Sequence, residues 1–256
     1  MQTNEHDTVT RTSFERQVGL FTGADAPFAR RVDTVTDWVE PLDPGMVVLD
    51  VACGAGHVAE QLAPHVRQVV GVDLTRALLD AGAARLQDGG VDNVLLQEGT
   101  VARLPFVDAS FDLVVCRTAL HHFPDPDRAV DEMRRVCRAG GRVVVADMVA
   151  PGAEVRERFD AVHRDLDPSH MRVLLDAELV GLLEAHVGPV TRAEPVPPLR
   201  LPLDLIVTDA GDGDAVCTAV RAELDGGEAT GFEPTLDDGT VHVAFHITVV
   251  EARRES

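Results

Sequence analysis

Short apolar segments rich in β-branched residues alternate with helical patterns along the first 150 residues, and this alternation constrains the fold most strongly. Such short segments suit parallel strands that are buried on both faces. Five of them lie at residues 46–50, 69–73, 94–97, 113–116 and 142–146. Strands and helices in alternation predict right-handed crossovers and a doubly wound parallel sheet, which is an α/β fold.

Apolar residues between these segments recur at helical spacing. We expect one helix to be capped by Thr75, and another to begin with Asp125 as the cap and Pro126 as the first residue. The second of these should end at Gly140 and Gly141. The apolar stripes of three helices are Phe28, Val32, Val35 and Val39; Leu79, Ala83 and Leu86; and Val130, Met133 and Cys137.

The second half of the chain carries weaker signals. A proline-rich stretch at residues 194–202 (EPVPPLRLP) predicts a stiff connection between elements. Residues 241–249 (VHVAFHITV) alternate between apolar and polar and predict a terminal strand that is antiparallel to the others.

Charge and cysteine content exclude several classes of protein. The 43 acidic residues outnumber the 23 basic ones, which gives a formal charge of −20 and argues against a nucleic-acid or anionic-membrane partner. The chain has no long apolar run and no basic-then-apolar beginning, so we expect a cytoplasmic protein. The four cysteines are far apart in the sequence. We therefore expect no metal site and no disulfide framework.

The stretch VVLDVACGAGHVAEQLAP, residues 47–64, predicts a ligand-binding turn. In an open α/β sheet, ligands bind outside the carboxyl ends of the strands. Gly54 and Gly56 let the backbone approach a ligand closely, and the following helix favours an anionic group near its first residue, about His57. Asp50 and Asp73 end adjacent predicted strands, where a carboxylate can accept hydrogen bonds from a ribose diol.

Two classes of cofactor fit this turn. Residues 54–59 match the GxGxxA pattern of nicotinamide dinucleotide sites, although a single match of this kind is weak. Asp50 precedes the first glycine by four residues, where it would repel a pyrophosphate. S-adenosylmethionine instead carries an ammonium and a sulfonium, and these positive charges are compatible with a nearby acidic side chain. The residues alone favour the second class and leave the first open.

Four segments resemble those of class I S-adenosylmethionine-dependent methyltransferases, in the ubiquinone/menaquinone methyltransferase-like (type 11) group. They are residues 48–59 (VLDVACGAGHVA), 69–85, 97–126 and 134–151. Residues 164–172 (RDLDPSHMR) are similar to a segment of uncharacterised bacterial members of this family. The resemblance implies a Rossmann-like seven-stranded sheet with an antiparallel last strand. It also implies an N-terminal helical lid over residues 1–45, a cofactor-binding core over 46–150, and a C-terminal part of the same domain over 151–256. A substrate cap would be inserted there at about residues 155–235, with the final strand at about 241–250.

The resemblance also implies roles in holding the cofactor S-adenosylmethionine. Asp73 would hold the ribose, Leu74 would pack on the adenine, and Asp50 would fix the loop or reach the ammonium. The alternative for Asp73 and the glycines is a tight turn with a helix cap. The expected cofactor contacts are Asp50, Ala52, Gly54, Gly56, Asp73, Leu74, Thr100, Val101, Cys116, Arg117 and the lid residue Gln17.

Three histidines are candidate catalytic residues. His121 and His122 follow the fourth predicted strand, where an acceptor should lie, and a histidine can take up a proton near neutral pH. The alternative is that either ring packs under the next helix or bonds to backbone. His170 lies in a cluster with Asp167 and Ser169, which could equally be a helix-start signal. Cys116 is expected to lie in the core rather than to act as a nucleophile.

The N-terminal segment SFERQVGLF, residues 13–21, resembles a family lid, with Phe14, Arg16, Gln17 and Phe21 as its candidate residues. We expect an apolar acceptor pocket roofed by Phe14, Phe21, Phe159 and residues 199–206. The predicted function is methyl transfer to an O or N atom, less favourably a C atom, of a small apolar or aromatic molecule. The alternatives are a protein of the same fold that binds the cofactor without transfer, and a nicotinamide-dependent oxidoreductase.

Overall fold

A computed structural model describes residues 2–22 and 35–255 of the chain. Within these ranges the strands of one sheet are β1 Val47–Val51, β2 Gln68–Asp73, β3 Val94–Glu98, β4 Phe111–Arg117, β5 Cys137–Met148, β6 Val190–Pro202, β7 Thr235–Asp237 and β8 Thr240–Arg253. All five strands expected in the first 150 residues are present, with bounds that differ by a few residues. The expected terminal strand is also present, as β8.

The strand order is β3-β2-β1-β4-β5-β8-β6, and the short β7 pairs with β8. Strands β1 to β5 pair in parallel, whereas β8 runs antiparallel between β5 and β6. The predicted doubly wound α/β fold with an antiparallel last strand is therefore confirmed. Strands β2 and β3 are added on one side of β1, and β4 and β5 are added on the other. A crevice opens at such a reversal of strand order, beyond the carboxyl ends of β1 and β4.

Helices cover both faces of the sheet. Their bounds are α1 Gln2–Arg16, α2 Val18–Thr22, α3 Val35–Val39, α4 His57–Leu62, α5 Arg76–Asp88, α6 Pro126–Val136, α7 Arg156–Leu166, α8 Asp176–His186, α9 Leu203–Ile206 and α10 Gly213–Leu224, with single 3₁₀ turns at Ala63–His65 and Leu120–His122. Asp125 caps α6 as expected, because its carboxylate accepts from the backbone N–H of Arg128 at 3.0 Å. Phe28 and Val32 of the first expected helix lie outside the described residues.

The expected end of α6 at Gly140 and Gly141 is wrong. The helix ends at Val136, and β5 begins at the next residue, Cys137. The pairing of β5 with β4 shifts register between Phe111 and Leu113, which leaves extra residues in β5 around the two glycines. Gly140 has a φ of +74°, so the pair serves an irregular strand rather than a helix terminus.

The proline-rich stretch is also not a connection. Residues 194–202 form most of β6, which pairs with β8 along the edge of the sheet. Proline lacks a backbone N–H, and an edge strand tolerates that loss because one side of it needs no partner. The register shifts between Val196 and Leu199, where two prolines follow one another.

Two apolar layers flank the sheet. One packs under α3, α4, α7 and α10, and the other packs under α6 and α8. Within residues 2–22 and 35–255, no helix has the length and apolar character needed to cross a bilayer. The division into lid, core and cap remains a prediction.

Candidate active site

A cleft lies beyond the carboxyl ends of β1, β2 and β4, where the topology predicts one. Nine of the residues expected at the site line it together: Asp50, Ala52, Gly54, Asp73, Leu74, Thr100, Val101, Arg117 and His122. The N-terminal residues Phe14 and Phe21 line it as well, with their ring centroids 5.5 Å apart. The cleft is therefore enclosed by charged groups from the sheet and by aromatic groups from the N-terminal helices.

The loop after β1 follows a path that ordinary side chains resist. Gly54 has a φ of +55° and Gly56 a φ of +74°, both in the left-handed region that favours glycine. Ala52 adopts a φ of +53° despite its side chain. Helix α4 then begins at His57, whose Nε2 lies 2.6 Å from the carbonyl oxygen of Phe21 in α2.

Asp73 organises the loop and faces the cleft. Its Oδ2 accepts from the backbone N–H of Gly54 at 2.8 Å, and its Oδ1 accepts from that of Thr75 at 2.7 Å. Burial raises the pKa of this carboxyl, against the effect of those two hydrogen bonds. Each oxygen has capacity for a further hydrogen bond, so the side chain can serve the loop and a bound diol together.

Asp50 lies deeper in the cleft and is 1% exposed. Burial, with a further contribution from Asp73, raises its pKa to about 8, while the N–H of Ala59 and the charge of Arg117 act in the opposite direction. Its Oδ2 has no hydrogen-bond partner among the described residues. A buried carboxylate oxygen of this kind is costly unless a ligand supplies a donor, and an ammonium group would supply one.

Leu74, Thr100 and Val101 also line the cleft. Thr100 Oγ1 accepts from the backbone N–H of Ala102 at 3.4 Å. Arg117 lines the cleft too, and burial lowers the pKa of its guanidinium to about 10, while the charges of Asp50 and Asp147 oppose that shift. The lining of the cleft therefore combines apolar side chains with one buried guanidinium.

Only one of the three candidate histidines lines the cleft. His122 does so, and its ring packs edge-on against Phe14 with the centroids 5.1 Å apart. His121 Nδ1 lies 2.5 Å from Asp147 Oδ1, and His170 Nε2 lies 2.7 Å from Asp160 Oδ1. The latter two rings are buried behind His122 rather than open to the cleft.

Asp167 connects the N-terminal helical segment to His122. Ser169 Oγ lies 2.7 Å from Asp167 Oδ1 and 3.0 Å from His122 Nδ1. Ser13 Oγ and Gln17 Nε2, both on the N-terminal helical segment, also donate to Asp167 at 2.7 and 3.2 Å. Burial alone would raise the pKa of Asp167, but His122 and the hydrogen bonds from Ser169 and Ser13 lower it overall, which keeps the carboxylate charged.

Several expected site residues lie elsewhere. Gln17 bonds to Asp167, Cys116 is fully buried in the core, and neither they nor Gly56 line the cleft. The expected acceptor-pocket roof is wrong in part. Phe159 is 1% exposed and packs against Phe232. In residues 199–206 the side chains of Leu199, Leu201, Leu203 and Ile206 also lie in the core, whereas Leu205 is exposed.

Sequence reasoning missed Asp147 and Asp160, the partners of two histidines. Asp147 lies near the carboxyl end of β5, and its position at that edge could have signalled it. Ser13 and Thr118 were also missed; Thr118 lines the cleft with a φ of +46°. A single threonine or serine in a helical or turn segment carries no such signal.

The fold and the cleft are similar to those of class I S-adenosylmethionine-dependent methyltransferases. Residues 49–145 match the family described as methyltransferase domain. The match runs from within β1 to within β5 and includes the strand ends that carry Asp50, Asp73 and Arg117.

Known relatives agree with this assignment. The chain is 43% identical over 140 residues to the uncharacterized methyltransferase YcgJ of Bacillus subtilis, covering 54% of this chain and 55% of that protein. It is 32% identical over 131 residues to a demethylmenaquinone methyltransferase of Clavibacter sepedonicus, covering 51% and 53%. The matched region thus spans about half the length of these curated relatives.

The structural comparison extends over more of the chain. The crystal structure of YcgJ superposes with a TM-score of 0.76 at 27% identity, covering 88% of this chain and 98% of that one. The Bacillus halodurans C-125 protein BH2331 superposes with a TM-score of 0.77 at 26% identity, covering 91% and 100%. The similarity therefore includes the region after residue 150, where the sequence signals are weak.

Proposed function

We propose that this protein transfers a methyl group from S-adenosylmethionine to an O or N atom of a small apolar or aromatic molecule. The observation that carries the proposal is the pairing of Asp50 and Asp73 in one cleft. One carboxylate has an unpartnered buried oxygen, and the other is placed at the end of the adjacent strand. That arrangement suits a ligand with a cation at one end and a ribose at the other.

The residues fit the cofactor at three places. The unpartnered oxygen of Asp50 would accept from the ammonium, and the carboxylate of Asp73 would accept from the ribose hydroxyls. Leu74 and Val101 would enclose the adenine. When bound, the cofactor supplies a methyl group made electrophilic by the positive sulfur. The protein then has mainly to align an acceptor with it and to exclude water.

His122 is placed to receive the proton that the acceptor loses. Asp167 is charged and carries no proton, so Ser169 donates its hydroxyl hydrogen to Asp167 and accepts from His122 Nδ1. That assignment leaves Nε2 of His122 with its lone pair free to face the cleft. Burial and the neighbouring His121 lower the pKa of His122, so the ring is a weak base. A weak base suffices where the proton leaves as the new O–CH₃ bond forms, because the methylated oxygen is then strongly acidic.

The acceptor class follows from the lid. Phe14, Phe21 and Phe123 line the cleft on the outer side. Aromatic side chains bury apolar ligands well and contribute about 0.5–1.5 kcal/mol per favourable ring pair. The chain has no tyrosine, so the lid offers apolar surface with few hydroxyl groups. A flat, apolar acceptor with one hydroxyl or amine matches this lining.

Calorimetry distinguishes this proposal from a nicotinamide-dependent oxidoreductase. S-adenosylhomocysteine should bind at about micromolar levels, a free energy near −8 kcal/mol, and NAD should not bind. Binding of NAD alone would contradict the cofactor assignment. A screen of phenols and amines for methylated products, with and without His122→Ala, would then test transfer itself. Cofactor binding without any product would favour a binding role.

Asp73→Asn tests the ribose contact without emptying the site. The amide keeps one oxygen for backbone N–H groups but loses the charge, so we expect S-adenosylhomocysteine to bind about 10–100-fold more weakly. Asp80→Asn is the matched control, because Asp80 lies on the exposed side of α5 in a surface ion pair with Arg76. An affinity of Asp73→Asn within about twofold of the wild type would exclude the ribose role.

A further inference from the structure

Three buried histidines converge on one point behind His122. One ring nitrogen from each of His121, His163 and His170 lies within 4.8 Å of one from each of the others. The residues are 3, 4 and 1% exposed. They come from the turn after β4, from helix α7, and from the loop after it, so three separate segments bring their rings together.

Hydrogen bonds determine which nitrogens are free. His121 Nδ1 bonds to Asp147 and His170 Nε2 bonds to Asp160. A charged carboxylate can only accept, so these nitrogens carry the hydrogen and His121 Nε2 and His170 Nδ1 keep their lone pairs. Asp147 is held in its charged state by the backbone N–H groups of Ala119 and Leu120 as well.

His163 differs from the other two histidines because no carboxylate in the described part of the chain holds its ring. Nδ1 of His163 and Nδ1 of His170 have no hydrogen-bond partner among the described residues. The His163 ring stacks on that of His170 at 4.1 Å and 6°, and Phe159 and Phe232 surround it. A buried nitrogen without a partner costs about 1–3 kcal/mol, so the cluster needs an explanation beyond packing.

Protons do not supply the missing partner. Burial and the neighbouring imidazole of His170 lower the pKa of His163 well below its ordinary value, and burial also lowers the pKa of His170. The rings of His163 and His170 are therefore neutral at physiological pH. Neutral imidazole is the form that ligates metal ions.

We propose that His121, His163 and His170 bind one divalent transition-metal ion of the zinc class. Three imidazole nitrogens are a common ligand set for Zn²⁺, at about 2.0–2.1 Å from the metal. Asp147 and Asp160 complete the arrangement, because ligating histidines usually donate their other N–H to a carboxylate that fixes the ring. Because a ligated ion lies in the plane of each imidazole ring, the His163 ring would have to turn out of its stack on His170 when the ion binds.

The proposed ion would join the turn after β4 to helix α7 and to the loop that follows α7. It lies behind His122 rather than in the cleft. We expect it to stabilise the fold and to hold the His122 segment in place, because binding free energy at such a site is also folding free energy. This inference does not depend on the proposed methyl transfer.

His163→Phe is the decisive variant. Phenylalanine keeps the shape and the stacking of this ring and loses only nitrogen atoms, one of which has no partner. If the cluster is merely structural, this change should leave stability unchanged or raise it slightly. If the cluster binds metal, the affinity should fall by about 100-fold or more, since even outer-shell changes cost 10–100-fold.

Protein stripped with a chelator is titrated with Zn²⁺ by calorimetry and with Co²⁺ by visible absorption. The wild type should bind one equivalent, show d–d bands of a low-coordinate nitrogen site, and melt at a higher temperature when loaded. His186→Ala is the control, because His186 contacts Asp127 and Asp131 in a surface cluster that could hold metal adventitiously. It should keep the high-affinity site.

Three results would overturn the proposal: no stoichiometric binding by the folded wild type, unchanged affinity in His163→Phe, or loss of binding in His186→Ala. Should His163→Phe fail to fold, X-ray absorption of the zinc-loaded wild type decides the question. Three imidazole ligands at about 2.0–2.1 Å would support the site, and fewer would exclude it.

Discussion

Ser13 on helix α1 donates a hydrogen bond of 2.7 Å to Asp167, although 154 residues separate the two in the chain. Both residues are buried, at 4% and 7% exposed. Phe14, next to Ser13, lines the cleft and packs against His122. The carboxylate of Asp167 therefore anchors the helix that covers the site.

Ser13→Ala should loosen that helix. A hydrogen bond to a charged group contributes about 1.5–3 kcal/mol, so amide hydrogens of residues 5–16 should exchange about 10–100-fold faster. S-adenosylhomocysteine should bind more weakly, because helix α1 would be held against the cleft for less of the time. Thr12→Ala is the matched control, since Thr12 is exposed on the same helix. Equal exchange in the two variants would contradict the anchoring role.

Two glycines inside helices should respond to alanine in opposite ways. A Cβ at Gly82 on α5 would lie 2.4 Å from the carbonyl oxygen of Ala55 in the glycine loop, whereas a Cβ at Gly181 on α8 would meet nothing within 4 Å. Gly82→Ala should destabilise the fold by about 1–3 kcal/mol and weaken cofactor binding. Gly181→Ala should stabilise it by about 0.4–1 kcal/mol. Urea denaturation measures both changes, and a stable Gly82→Ala would show that the loop can shift freely.

The sheet and the cofactor side of the cleft could be predicted because their signals are local. A run such as residues 69–73 identifies a buried strand without reference to its partners, and strand order then places Asp50 beside Asp73. The proline-rich β6 shows the limit of that reasoning. The prolines of β6 predict a connection between elements. They are compatible with a strand only because β6 lies at the edge of the sheet.

The histidine contacts depend on residues far apart in the chain. His121 meets Asp147 and His122 meets Ser169 only when the fold is complete, because 26 and 47 residues separate the members of these pairs. Phe159 illustrates a second obstacle. An apolar ring in a helical stripe looks the same in sequence whether it faces the core or a ligand, and here it faces the core.

Arg142 and Glu251 form a buried ion pair between β5 and β8 at 2.8 Å. The guanidinium also donates to the carbonyl oxygens of Val39, Glu40 and Pro41. Arg142→Met should destabilise the fold by about 3–5 kcal/mol, because it leaves a buried carboxylate without its partner.

The exposed Arg76–Asp80 pair is the control for that change, because its members are 68% and 60% exposed at their side chains. Arg76→Met should change stability by about 1 kcal/mol at most. Adding Glu251→Gln to Arg142→Met should recover part of the loss, since the unpaired charge is then removed. Similar denaturation midpoints for Arg142→Met and Arg76→Met would show that the buried pair contributes little.

His186 should make stability depend on pH. Its Nδ1 and Nε2 lie 2.9 and 2.8 Å from Asp131 and Asp127, so its ring joins α8 to α6. The hydrogen bond to Asp131, followed by the charges of both carboxylates, raises the pKa of His186. A raised folded-state pKa means that the contribution is complete below the unfolded value of about 6.5 and is lost as pH rises through the higher folded value.

His186→Gln should therefore be less stable than the wild type at about pH 5.5, and the difference should shrink at about pH 9. Urea denaturation at both pH values measures it, and NMR titration of the ring reports the pKa directly. Salt should reduce the effect, because both carboxylates are largely exposed. His65→Gln, on an exposed residue, serves as the control. A stability difference that grows with pH would mean that the ring stabilises the helix pair in its neutral form.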